Sequence, residues 1–133
     1  MLRQLNPPPA QEEAPDPPLP GLIPKDPWGR QLVARFFRAL GDPTRLALLE
    51  FCATGERQGT ECLRHVQLSQ GRVASHLACL VTCGLLAIRR EGRSAFYSVR
   101  DQRVLELLRV SQALVAEQAE QIAACTRVPI PPP

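Results

Sequence analysis

The distribution of proline limits where this 133-residue chain can form regular secondary structure. Nine of its fourteen prolines lie at or before Pro27, four lie within residues 129–133, and only Pro43 falls between these groups. Proline lacks the backbone N–H and interrupts helices, and Pro-rich segments with few bulky apolar residues stay disordered. The sequence therefore predicts a disordered Pro-rich arm over 1–26, one folded domain over 27–127 and a Pro-rich tail over 128–133.

The apolar residues exclude several classes of protein. The longest apolar stretch, residues 77–88, is 12 residues long, whereas a membrane-spanning helix needs about 20. The first residues also lack the apolar segment of a secretory signal, so we expect a cytoplasmic protein without a membrane partner. In that reducing compartment the five cysteines are expected to be thiols rather than disulfides.

Apolar periodicity predicts a mainly α-helical domain with one β-hairpin, in the order α-α-α-α-β-β-α. Asp42, Ser69 and Asp101 each precede an apolar-periodic segment and are typical helix N-caps. Glu91-Gly92 separates two short segments in the manner of a hairpin turn. The predicted segments are helices from 28 to 40, from 43 through 51, from 60 to 66, from 70 to 83 and from 102 to about 124, and strands from 85 to 90 and from 94 to 99.

The first and last predicted helices carry more apolar surface than one small domain can cover. The last helix has a stripe of six apolar residues between Val104 and Ile122, and the first has five between Leu32 and Leu40. Exposed apolar stripes of this size favour association. We therefore expect a homodimer that forms through the first and last helices.

A short helix, a tight turn, a Ser-capped helix and a basic hairpin form the pattern of a winged helix-turn-helix. The N-terminal side chains of such a capped helix reach base edges in the major groove of DNA, and arginines of the hairpin contact phosphates. Residues 57–103 carry eight basic and three acidic side chains, which suits a polyanion. The predicted DNA-contacting residues are Ser69, Gln70, Arg72, Ser75, His76, Arg89, Arg90 and Arg93.

Two cysteines lie away from the core-facing stripe of the predicted fourth helix. At about 100° per residue, Cys79 and Cys83 fall on one side, one turn apart, and this spacing allows two thiolates to bind one soft metal ion. Cys125 follows the last helix, where no packing need for cysteine is apparent, and is the predicted third ligand. Cys52 and Cys62 are predicted to be core thiols.

Three motifs together resemble the ArsR/SmtB family of metal-responsive repressors. They are GDPTR from Gly41, SQ-x-x-V-x-SHL from Ser69 and REGR-x-x-x-Y from Arg90, within a resemblance that covers roughly residues 33–108. The resemblance implies a homodimer whose recognition helices bind operator DNA and release it when a metal binds. The segment CLVTC resembles the cadmium- and lead-sensing CmtR-like branch, in which a C-terminal cysteine of the other subunit joins the paired cysteines. That branch implies Cys79, Cys83 and Cys125 as ligands.

The sequence departs from other branches of this family in ways that reduce the number of metal ions that could be its effector. The last helix has no histidine, so the Asp/His/Glu zinc site of the family is absent, which argues against a zinc or nickel sensor. Thiolate ligands select soft metals, so the expected effector is Cd(II), Pb(II) or Hg(II). We expect a repressor rather than an enzyme, with no small organic substrate.

Three other functions stay open. The same fold could carry a thiol redox or persulfide-responsive repressor, a repressor with incidental cysteines, or a metal-buffering protein with no DNA role. Salt-dependent affinity for duplex DNA separates the last of these from the others.

Overall fold

The computed structural model describes residues 27–132. The chain divides into two compact units, residues 1–38 and residues 39–133. The described residues of the first unit belong to α1 (Pro27–Leu40). The predicted Pro-rich arm over 1–26 lies outside the described residues, as does Pro133.

The second unit contains the remaining elements, and its mainly helical character and its hairpin are confirmed. In chain order they are α2 (Pro43–Ala53), β1 (Arg57–Gln58), α3 (Gly59–Val66), α4 (Gln70–Thr82), β2 (Ala87–Glu91), β3 (Ser94–Ser98), α5 (Gln102–Glu117) and α6 (Ala119–Ala124). The short strand β1 and the separate helix α6 were not predicted from the sequence. Among the described residues, no helix has the length and apolar character that a membrane span requires.

Side-chain caps start α2 and α4 at the positions that the sequence predicts. The Asp42 carboxylate accepts a hydrogen bond from the Arg45 backbone N–H at 2.9 Å, and Pro43 is in the first turn of α2. Ser69 Oγ accepts from the Arg72 backbone N–H at 3.3 Å at the start of α4. Because each cap satisfies an N–H that the helix itself leaves unpaired, local contacts are sufficient to place these helix starts.

The hairpin belongs to a three-stranded antiparallel sheet with the order β1-β3-β2. β2 pairs with β3 so that Glu91 lies opposite Ser94, and Gly92 has a φ of +60° in the turn, a conformation that favours glycine. The outer strand β1 pairs with the other edge of β3, and Gln58 Nε2 donates to Ser94 Oγ at 3.0 Å. With two residues, β1 is too short to show the alternation by which strands are predicted.

The core of the second unit is built mainly from leucines of α2, α4 and the segment that precedes β2. The large side chains that are fully buried are those of Leu48, Leu49, Leu80 and Leu85, together with the thiols of Cys52 and Cys62. The prediction that these two cysteines are core thiols is therefore confirmed. α4 packs against both α2 and α3, so its outer face is set by this core.

The prediction of one long last helix is wrong at its C-terminal end. α5 ends at Glu117, because Gln118 takes a φ of −120° and a ψ of 21° before α6 begins. Neither proline nor glycine occurs here, so the sequence carries no signal for the break. Val104 and Leu108 are buried, whereas the rest of the described apolar face of α5 and α6 is largely exposed, including Val110, Leu114, Val115 and Ile122.

Candidate nucleic-acid interface and thiol site

The predicted base-contacting residues lie at the exposed start of α4. Ser69, Gln70, Arg72 and Ser75 are exposed and His76 is half-buried, whereas the opposite side of the helix packs into the core. A helix N-terminus favours phosphate or base acceptors, because the helix leaves its first backbone N–H groups without intrahelical partners. Contact of these residues with DNA stays a prediction.

An arginine of α2 that was not predicted as a site residue contacts the histidine of α4. Arg45 Nη1 lies 3.2 Å from His76 Nδ1, and Arg45 Nε donates to the backbone carbonyl of Ala39 at 2.7 Å. Because a guanidinium has donors only, His76 Nδ1 is the acceptor of this bond. The contact links α4 to α2. Arg45 is the last residue of the GDPTR segment, and this motif was the sequence feature that could have pointed to it.

The three arginines of the wing (β2, β3 and their turn) have different surroundings. Arg89 donates to both carboxylate oxygens of Glu56, at 2.9 and 3.0 Å, and to Glu91 at 3.0 Å. Its guanidinium also lies 4.5 Å from the centroid of the Phe96 ring. Hydrogen bonds from Arg89 lower the pKa of Glu56. Arg90 and Arg93, by contrast, are exposed, so these two present their charge to a ligand directly.

Replacing Glu56 by glutamine is expected to strengthen DNA binding. Glu56→Gln removes a carboxylate that engages Arg89 and allows this guanidinium to reach a phosphate. The dissociation constant for duplex DNA should fall roughly two- to fivefold, the range in which exposed ion pairs act, and the salt dependence should become steeper. Fluorescence anisotropy at two salt concentrations measures both quantities.

Glu117→Gln, at the end of α5, is the matched control because it makes the same charge change away from the wing. An equal effect of both variants would show that net charge alone is responsible. An unchanged affinity of Glu56→Gln would show that the ion pair does not hold Arg89 away from DNA.

Two of the three predicted metal ligands lie together at the C-terminal end of α4. Cys79 and Cys83 are both half-buried, and the Cys83 backbone N–H donates to the Cys79 carbonyl at 3.0 Å, which places the two residues one helical turn apart. This donor pair suits a soft metal ion.

The third predicted ligand is not brought to the other two within this chain. Cys125 is exposed and caps the end of α6. Across residues 27–132, no group of three or more His, Cys, Asp or Glu side chains is placed to hold a metal ion. The three-thiol set therefore stays a prediction, and it requires a thiol from outside this chain or a different position of the C-terminal segment.

A family model described as "Bacterial regulatory protein, arsR family" matches residues 42–87. The chain is 51% identical over 96 residues to a probable mercury resistance operon repressor of Streptomyces lividans, covering 72% of this chain and 77% of that protein. It is 32% identical over 96 residues to the HTH-type transcriptional regulator CmtR of Mycobacterium tuberculosis, covering 71% of this chain and 81% of that protein.

Solved structures share the architecture. The crystal structure of M. tuberculosis Rv0081 matches with a TM-score of 0.68 and 30% identity, covering 75% of this chain and all of that one. A homodimeric winged helix-turn-helix DNA-binding domain from Mycobacterium bovis, described as a possible ArsR-family regulator, matches with a TM-score of 0.63 and 28% identity, covering 69% of this chain and 85% of that one. The fold of this chain is thus a winged helix-turn-helix, as predicted.

Proposed function

Since this chain belongs to the arsR family of bacterial regulatory proteins, we propose that it is a homodimeric repressor that leaves its operator when a thiophilic heavy metal binds cysteine thiolates. Membership of this family makes it a DNA-binding transcriptional regulator rather than an enzyme. The proposed effector is Hg(II), Cd(II) or Pb(II). Mercury is favoured by the name of the Streptomyces relative, and the other soft metals by the resemblance to the CmtR-like branch.

The placement of two thiols and the candidate base contacts on one helix is the observation that carries this proposal. Cys79 lies only three residues after His76, which is about 4.5 Å along the axis of α4. A metal that changes the C-terminal turn of α4 therefore acts on the same rigid element that enters the DNA groove.

The chemistry of metal capture follows from the thiols. Each coordinating thiol gives up its proton, so metal binding releases protons and weakens as the pH falls. When bound, the metal would supply metal–sulfur bonds that join the two thiolates. Cys79 and Cys83 would hold the ion, with Cys125 of the second subunit as the proposed third ligand.

The proposed dimer uses the exposed apolar face of α5. Leu114, Val115 and Val110 lie on this face and are exposed, although leucine and valine are usually found in protein interiors. In the other unit, Trp28 and Phe37 of α1 are exposed as well. The M. bovis neighbour is homodimeric by description, which supports the same assembly here.

Release requires that metal and DNA favour different arrangements of the dimer. Coupling free energies between two such ligands are typically about 1–3 kcal/mol, which corresponds to roughly a 5- to 150-fold change in affinity. The contact between Arg45 and His76 offers one route, because a rotation of α4 at Cys79 would also move His76 against α2. The exposed cap residues of α4 would then no longer match the DNA groove.

The proposal is tested with a duplex that the protein itself selects from a random-sequence pool. We expect affinity that falls steeply with salt, as counterion release requires, and a loss of affinity of roughly 10- to 100-fold when Hg(II) or Cd(II) is added. Absorption of the metal–protein complex should show a thiolate-to-metal charge-transfer band. Weak, salt-independent DNA binding would contradict the repressor, and release by polysulfide or peroxide but by no metal would favour the thiol-redox alternative.

A further inference from the structure

The buried cysteines form a close pair that the proposed metal response does not use. Cys52 of α2 is 1% exposed and Cys62 of α3 is 0% exposed, and their Sγ atoms lie 3.9 Å apart. At this distance one thiol donates a weak hydrogen bond to the other. Two thiols in contact across two helices of the DNA-binding unit can be joined by a disulfide when an oxidant takes up their two electrons and two protons.

We propose that Cys52 and Cys62 form an oxidation site: a hydroperoxide converts this buried dithiol to a disulfide, which links α2 to α3 and lowers the affinity of the protein for DNA. The site differs from the candidate metal site in its residues, in its burial and in the chemistry that it performs.

The geometry favours a disulfide over a second metal site. A soft metal would add an atom to a filled core, and two-coordinate binding at about 2.3 Å per sulfur would move the sulfurs apart to about 4.6 Å. No further His, Cys, Asp or Glu of the described residues completes a group of three ligands. A disulfide adds no atom and needs an S–S distance of about 2.0 Å, so the sulfurs only approach each other.

The two thiols have different roles in the reaction. The hydrogen bond between the two thiols lowers the pKa of Cys62, and the same bond together with burial raises the pKa of Cys52. The 3.9 Å contact allows either sulfur to attack first. With Cys62 as the attacking thiol, it gives up its proton, its sulfur attacks one peroxide oxygen, the S–O bond forms, the O–O bond breaks, and the leaving hydroxide takes up that proton and becomes water. Cys52 then attacks the sulfenic sulfur of Cys62, the S–S bond forms, and the second hydroxide leaves as water with the Cys52 proton. Both thiols are oxidised, and one hydrogen peroxide is reduced to two waters.

The disulfide would act on DNA binding through the helix that carries the base contacts. To bond, the sulfurs must approach by about 1.9 Å from their distance of 3.9 Å. α4 packs against both α2 and α3, so a shift of α3 toward α2 changes the surface on which α4 packs and therefore the position of α4. Interiors packed at crystal-like density transmit such shifts rather than absorb them, and we expect a roughly tenfold loss of DNA affinity, within the usual range of allosteric coupling.

Burial also determines which oxidants reach the pair. Hydrogen peroxide is small and uncharged, so it can enter during brief local opening of the core. A bulky, charged aromatic disulfide reagent cannot enter in this way. It should leave Cys52 and Cys62 unmodified in the native protein and modify them only after denaturant has unfolded the core. This difference separates the pair from Cys125, which is exposed.

The test uses the full chain with Cys79→Ser, Cys83→Ser and Cys125→Ser together, which leaves only the buried pair. After hydrogen peroxide, followed by unfolding and alkylation, mass spectrometry should show one cross-linked Cys52–Cys62 peptide, two hydrogens lighter, with neither thiol alkylated. The dissociation constant for DNA should rise roughly tenfold relative to the same variant in reduced form, and dithiothreitol should restore it. The matched control adds Cys62→Ala, which should show neither the cross-link nor the reversible change.

Several results would overturn the inference. One is that both thiols are alkylated after peroxide treatment, and another is that the cross-link forms only in denaturant. A third is that the cross-link forms but DNA affinity stays within twofold of the reduced value. A fourth is that the pair binds one Cd(II) per chain and that this metal blocks the reaction. None of them depends on a metal response of the wild type, so failure here is distinguishable from failure of the proposed function. A reduced variant without any DNA binding would contradict both.

Discussion

The Cys79→Ser variant is expected to lose almost all of the metal-induced decrease in DNA affinity. Serine keeps the size of the side chain but replaces a soft thiolate by a hydroxyl that stays protonated, so the pair on α4 can no longer hold a soft ion. In the wild type, Hg(II) or Cd(II) should raise the dissociation constant for DNA roughly 10- to 100-fold, and in the variant less than about twofold. Anisotropy titrations of a labelled duplex with and without metal give this ratio.

The Ala78→Ser variant is the matched control for this experiment. Ala78 is an exposed neighbour of Cys79 on α4, so the control adds a hydroxyl to the same helix and leaves both thiols in place. It should respond to metal as the wild type does. A wild-type response of Cys79→Ser itself would place the metal site elsewhere, and loss of the response only in Cys125→Ser would move the main site to the C-terminal segment.

The Leu80→Ala variant is expected to show the largest loss of stability. Leu80 of α4 is fully buried, and its carbonyl accepts the backbone N–H groups of Leu85 and Leu86, so its side chain lies where α4 joins the segment that leads into the wing. Truncating a buried leucine removes apolar contacts and leaves a cavity, at a cost of about 3 kcal/mol. Because small domains are stable by only about 5–15 kcal/mol, the melting temperature should fall by roughly 10–20 °C.

Urea unfolding followed by circular dichroism measures this free energy. Val128→Ala provides the comparison, since Val128 is a 70% exposed valine of the C-terminal tail, and its truncation should change the free energy of unfolding by less than about 0.5 kcal/mol. Similar losses in both variants would contradict the assignment of Leu80 to the core. A loss for Leu80→Ala below about 1 kcal/mol would show that the site collapses without leaving a cavity.

The parts of this fold that were predicted from the sequence depend on neighbours within a few residues. Asp42 and Ser69 cap α2 and α4 through backbone N–H groups three residues away. The turn at Gly92 requires a positive φ, which the residue type itself signals. The helical period likewise identifies the buried stripe of α4. Each of these signals lies inside the element that it defines.

The parts that were missed depend on partners far along the chain or on small backbone changes. Arg89 is paired with Glu56, 33 residues earlier, and His76 with Arg45, 31 residues earlier. Neither pairing leaves a periodic pattern in the sequence. The break at Gln118 has no proline or glycine to mark it, so an unbroken apolar stripe suggested an unbroken helix.

For the candidate site, the sequence alone determined which side chains lie off the buried stripe of one helix. The 3.6-residue period is a property of the backbone, so it places Cys79 and Cys83 one turn apart and away from the core in any fold that keeps α4. Only the tertiary structure decided which groups from different elements meet. It brought Cys52 and Cys62 to 3.9 Å and engaged Arg89 with Glu56. The physical reason is that such contacts follow from how helices and strands pack, and packing is set by the whole core rather than by local sequence.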